Sequence, residues 1–185
     1  MLYDSRCARE DPQMNHKDSP HPEPWLRGTL IEVPAVPRAT LHALELAQED
    51  LQKWCGGLST EELNARPMGL PPVAFHLRHV ARSLDRLLTY AEGHRLNEEQ
   101  LAKLKSEMAP GVSHDALFAE LTAAIQASIE RIRALAASDL GQDRTVGTRG
   151  LPTTLGGLLV HVADHTQRHV GQAITTAKLI AAQRR

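Results

Sequence analysis

Between Arg38 and Trp54 the apolar residues Leu41, Leu44, Ala47, Leu51 and Trp54 recur three or four positions apart, and the pattern stops at Gly56-Gly57. That spacing places them on one face of a helix that the glycines end. A second pattern opens at Pro71-Pro72, where a missing N–H costs little, and sets Val73, Leu77, Val80, Leu84, Leu87 and Ala91 on one stripe before Gly93. A third begins after Ser113 and carries Leu117, Leu121, Ile125, Ile129, Ile132 and Leu135. The fourth follows a loop containing Gly141, Gly147, Gly150 and Pro152, is capped by Thr153 or Thr154, and continues to about Ala182. Two shorter elements lie between them. Ser59 and Glu62 form a capping box over a single turn that Pro67 ends, and Asn97 caps a short helix over NEEQLAKLK before Pro110-Gly111. Four long amphipathic helices with one longer middle connection predict an all-α four-helix bundle.

Residues 1–23 hold Pro, Asp, Asn, Lys and Ser with hardly any apolar periodicity, so burial there cannot offset the entropy of ordering. They are expected to form a mobile arm, with residues 24–185 as one domain. The length of 185 residues and the 42% hydrophobic content suit a single core. Because aromatics make up only 3%, that core must be built from Leu, Ile, Val and Ala, which favours helices over sheet.

Charge and motifs then exclude function classes. A net charge of -1, with 21 basic and 22 acidic residues interspersed, leaves no basic stripe for a nucleic-acid backbone. No run of about 18 apolar residues occurs and the first residues lack a signal-like apolar region, so no membrane partner and a cytoplasmic location are expected. Cys7 and Cys55 lack CxxC spacing and are expected to be free thiols. No GxSxG, Walker A, Rossmann fingerprint or HExxH pattern is present.

The candidate chemistry lies in histidine. Followed at spacings of three and four, the inward stripe of the fourth helix reads Leu158, Val162, His165, His169, Gln172, Thr176 and Leu179. Burying its polar middle costs roughly 1 to 3 kcal/mol for each group left without a partner. A divalent metal would be such a partner, since residues four apart stack one turn above each other and His165 and His169 can aim at one point. A third ligand must come from another helix, and on the second helix both His76 and His79 are candidates. Core histidines bonded to neighbouring side chains are the competing reading.

Two segments carry a family resemblance. HVADHTQRHVGQ, from His161 to Gln172, resembles the last-helix motif of the DinB/YfiT-like superfamily, an HxxxH followed closely by Gly-Gln. VAFHLRHVARSLD, from Val73 to Asp85, is similar to that family's second-helix motif. The resemblance spans about residues 37–180, including the LSTEEL connector. It implies a DinB/YfiT-like four-helix bundle of up-down-down-up course, frequent dimerisation, and a three-histidine site for a divalent metal ion. The family's metal histidines map onto His79, His165 and His169, which selects His79 over His76. Members with a known activity include thiol-dependent transferases and a mycothiol-dependent isomerase. Three neutral imidazoles suit zinc, nickel or iron, and allow Lewis-acid activation of a water or a low-molecular-weight thiol.

The leading expectation is therefore a metal-dependent enzyme acting on a small-molecule substrate, of thiol-dependent transferase or hydrolase type, and a homodimer. No carboxylate on the predicted buried stripes could serve as a general base, which favours the thiol version. A non-catalytic metal-binding module and a metal-free structural helical dimer are the alternatives. His76 and His161 read as neighbours of the site, either of which could replace His79 if the helix is rotated by one step, and Gln172 as a partner of a water or of a backbone group. Asp85 reads as a salt-bridge partner or as solvent-exposed, and Arg78, Arg82 and Arg86 as a solvated outer face. His16, His21, His42, His94 and His114 read as exposed or capping.

Overall fold

The computed structural model describes residues 22–184. Except for Pro22 and Glu23, the predicted arm lies outside them, as do Cys7, His16 and His21. Six α-helices form where the periodicity and caps place them: α1 (Ala35–Cys55), α2 (Thr60–Asn64), α3 (Val73–Ala91), α4 (Glu98–Lys105), α5 (His114–Leu135) and α6 (Leu155–Gln183). The predicted capping box is present at Ser59 and Glu62, and a second joins Asn97 to Gln100. The Ser113 hydroxyl accepts from Ala116 N–H and the Thr154 hydroxyl from Gly157 N–H, so side chains satisfy backbone donors that a helix start leaves without a partner.

The expectation of a simple four-helix bundle needs correcting. Among the described residues, besides the four long helices, there are two short α-helices and, in place of the glycine-rich loop, an antiparallel hairpin of β1 (Asp143–Val146) and β2 (Leu151–Thr154). Gly147 and Gly150 take positive φ of 74° and 61° and bracket its turn, a conformation that costs a residue without a Cβ little. The hairpin delivers Thr154 straight into its capping position on α6.

Each long helix packs against two others, α1 and α3 lying diagonally opposite. Thr40 donates to the Leu159 carbonyl near the start of α1 and α6, and Lys178 lies over the Trp54 ring near their ends, so these helices run parallel. His76 meets His169 while His79 meets His165, so α3 runs against α6. Arg82 pairs with Glu120 and Asp85 with Arg131, so α5 follows α3. The enclosed core is aliphatic, with Leu44, Leu51, Leu77, Leu84, Leu88, Leu117, Ile125, Ile132, Leu155 and Leu159 all buried. Burying a side chain of this kind stabilises by about 1.5 to 3 kcal/mol. Trp54, expected on the buried stripe, is displaced to the surface, and Cys55 takes the buried position. Burial pushes the Cys55 thiol up to about 12, which makes it an apolar filler rather than a nucleophile.

Candidate metal centre

The antiparallel contact of α3 and α6 brings His79, His165 and His169 together. One ring nitrogen from each falls within 4.8 Å of the others, and His79 Nε2 lies 2.8 Å from His165 Nε2. The three rings are partly buried, not sealed in the centre of the bundle as the sequence stripe suggested. The true core path of α6 is Leu155, Leu159, Val162, Thr166, Val170, Ala173, Ala177 and Ile180. His165 and His169 sit one step around the helix, at the edge of the α3–α6 seam. That rotation keeps the site within reach of solvent.

Geometry and charge both fit a metal. Burial, reinforced by the neighbouring His169 and His79, lowers His165 to about 4, and burial followed by His79 and Arg168 does the same to His169. Both rings are therefore neutral near pH 7, the state in which imidazole ligates. His79 is fixed from behind. Its Nδ1 donates to Glu107 Oε2 at 2.7 Å, which turns the Nε2 lone pair toward the other two rings. Glu107 Oε1 in turn accepts from Arg86 Nη1 at 2.7 Å, and both residues are buried. Desolvation alone would raise the Glu107 carboxyl, but the hydrogen bonds from His79 and Arg86 outweigh it and hold it below the usual carboxylate range.

Glu107 is the residue that sequence reasoning missed, since it lies on no helix stripe but just after α4. A signal for it existed. Arg78, Arg82 and Arg86 stand four apart, and a row of stacked cations beside a histidine needs acceptors. The solvated outer face assigned to them is wrong, because the segment after α4 folds over that face. Arg78 is 2% exposed and donates to the carbonyls of Ser106, Glu107 and Ala109. Arg82 bonds Glu120, the Lys103 carbonyl and Ser106. Together they pin the backbone that carries Glu107.

The other expected neighbours divide. His76 is 3% exposed, with its Nδ1 3.1 Å from His169 Nδ1, and burial followed by repulsion from His169 and His79 lowers it to about 4. Phe75 covers His76 and His79 with ring centroids at 5.1 and 5.4 Å. His161 stacks on His165 at 5.3 Å but is about half exposed. Gln172 is exposed and lines a cavity beside His76. Asp85 pairs with Arg131 and Gln100, as its salt-bridge reading expected. His94 is exposed, and His114 caps the Gly56 carbonyl. His42 departs from the exposed reading, being buried in contact with the Thr29 hydroxyl where the chain before α1 folds back over it.

The lowered histidines make acid stability predictable. A ring that titrates at about 4 when folded and near 6.5 when unfolded binds fewer protons in the native state between those values. Its contribution is full above about pH 6.5 and is lost as pH falls toward 4. Denaturant titrations of metal-free protein will show falling midpoints across that window. A midpoint flat from pH 7 to 4.5 would contradict the burial of these rings.

Among the described residues no helix is long and apolar enough to cross a membrane. No curated protein matches the chain. A crystal structure described as that of the conserved protein of locus from Enterococcus faecalis superposes with a TM-score of 0.66 at 19% identity, covering 80% of this chain and 99% of that one. That likeness is one of fold. The sequence profile of the DinB superfamily matches residues 43–173, a span that contains all three histidines of the cluster together with Glu107 and Arg86. The chain belongs to the DinB superfamily.

Proposed function

We propose that His79, His165 and His169 hold a divalent metal ion, and that the protein is a metal-dependent enzyme acting on a small molecule. The observation that carries this reading is the convergence of three imidazole nitrogens within 4.8 Å, with His79 oriented by a buried, arginine-bound carboxylate. Zinc, nickel and iron all accept such a donor set. A divalent ion held by His79, His165 and His169 would supply Lewis acidity to a water or a low-molecular-weight thiol.

The residues around the cluster favour the thiol-dependent transferase version over the hydrolase. Both Glu107 oxygens are engaged, one by His79 and one by Arg86, so this carboxylate positions a ligand and is not free to take a proton from water. Its role is to hold the His79 proton on Nδ1. His76 and Phe75 limit water on the α3 side, since both pack on the cluster. The homodimer and cytoplasmic location expected from the sequence and its family resemblance belong to the same proposal.

Elemental analysis of untagged protein beside His165→Ala tests the site. Wild type is expected to carry one ion per chain and the variant almost none. Wild type that takes up no zinc, nickel or iron after soaking would overturn the metal and the enzyme with it. A full coordination sphere of protein ligands would favour a non-catalytic metal-binding module instead.

A further inference from the structure

A cavity of about 340 Å³ lies beside His76, walled by Leu70, Pro71, His76, Arg168, Gly171 and Gln172, with Thr175 and Thr176 completing it. Its volume is that of a small-ligand pocket. Its chemistry is one-sided. Leu70 and Pro71 supply an apolar wall, Gln172 and the threonines supply neutral polar groups, and the single formal charge among the lining residues is the Arg168 guanidinium. No carboxylate lines it. Arg168 donates through Nη2 to Asp164, one turn earlier, across an exposed pair in which both side chains are about half accessible. Such a pair is weak, and a guanidinium has further donors to offer a second anion.

Gly171 gives an independent reason to read this space as functional. It stands in the interior of the 29-residue α6, where glycine destabilises a helix relative to alanine. Its φ is not in the positive range, and a Cβ built there meets nothing within 4 Å. Neither backbone conformation nor a neighbouring element therefore requires glycine. A Cβ there would enter open space at the edge of the cavity that Gly171 lines.

We propose that this cavity binds a small organic anion, a carboxylate with a short apolar chain, its charge on Arg168 and its chain against Leu70 and Pro71. Gly171 leaves the room for it. His76 joins this pocket to the cluster, because it lines the cavity and touches His169. The inference deepens the reading of the cluster as an enzyme's metal site by naming the class of its small molecule, and binding itself does not depend on the ion.

Calorimetric titration with hexanoate, and with hexylamine of similar apolar length, tests it on metal-free and zinc-loaded protein. Hexanoate is expected to bind both forms and hexylamine neither. Arg168→Ala, an exposed change that leaves the core intact, should weaken hexanoate about tenfold. Gly171→Leu should abolish binding while leaving metal content unchanged. Gly171→Ala should raise the melting temperature by about 1–4 °C, from its gain in helix propensity, and weaken binding. Absence of hexanoate binding, equal binding of hexylamine, or indifference to both Arg168→Ala and Gly171→Leu would each overturn the proposal. If no variant takes up metal yet hexanoate still depends on Arg168, the metal reading fails and the anion pocket stands.

Discussion

Glu107→Ala will cost about 3–5 kcal/mol of stability, because it leaves the buried Arg86 guanidinium without its carboxylate in a place where solvent cannot replace it. For a chain of this size each kcal/mol moves the melting temperature by about 2–4 °C, so a fall of roughly 6–20 °C is expected. The same substitution frees His79 Nδ1, whose hydrogen bond orients the ring, and metal affinity should fall about 10–100-fold. Glu107→Gln separates the two effects. An amide oxygen can still accept from Arg86 or from His79, so stability recovers in part, but a neutral group polarises His79 less and affinity should stay reduced. A Glu107→Ala variant that melts like wild type and binds metal equally well would remove Glu107 from the architecture of the site.

His169→Ala is expected to abolish metal-linked stabilisation altogether. An ion present at about a thousand times its dissociation constant stabilises the native state by about 4 kcal/mol, equivalent to roughly 8–16 °C in melting temperature. Wild type should lose that increment on chelation, and His169→Ala should melt identically with and without chelator. His76→Ala is the informative contrast. It removes a buried ring beside His169 but no member of the three-histidine group, so the variant should be destabilised by packing loss yet still respond to chelation. Loss of the response in His76→Ala as complete as in His169→Ala would place His76 among the ligands.

Local signals in the chain were enough to place the helices. The caps at Ser59, Asn97, Ser113 and Thr154 and the three- and four-residue spacing of leucines fix where the chain turns helical, since these are interactions between residues close in sequence. The glycine-rich segment before α6 looks like a loop in sequence because its hairpin has only four-residue strands with little apolar alternation. His165 and His169 were legible as a pair, because residues four apart share a helix face whatever the fold.

What periodicity could not give was the rotation of α6, and so whether that pair would be sealed in the core or set at its edge. A stripe drawn through the histidines and one drawn through Thr166 and Val170 both satisfy helical spacing. Only packing against α1 and α3 selects between them, because burying the apolar path is favourable and burying unpartnered imidazoles is not. The choice between His76 and His79 was of the same kind, and it came from the family motif rather than from the residues' own spacing. The arginine row signals that an acceptor is needed but not which one: Glu107 is 28 positions from His79, and Arg78, Arg82 and Arg86 become a clamp only when the segment after α4 crosses them. Forces acting within a few residues set the helices and the histidine pair. The tertiary structure decided the third imidazole's orientation, the buried carboxylate behind it and the cavity beside it, because each depends on which distant segments share the space left after the aliphatic core has packed.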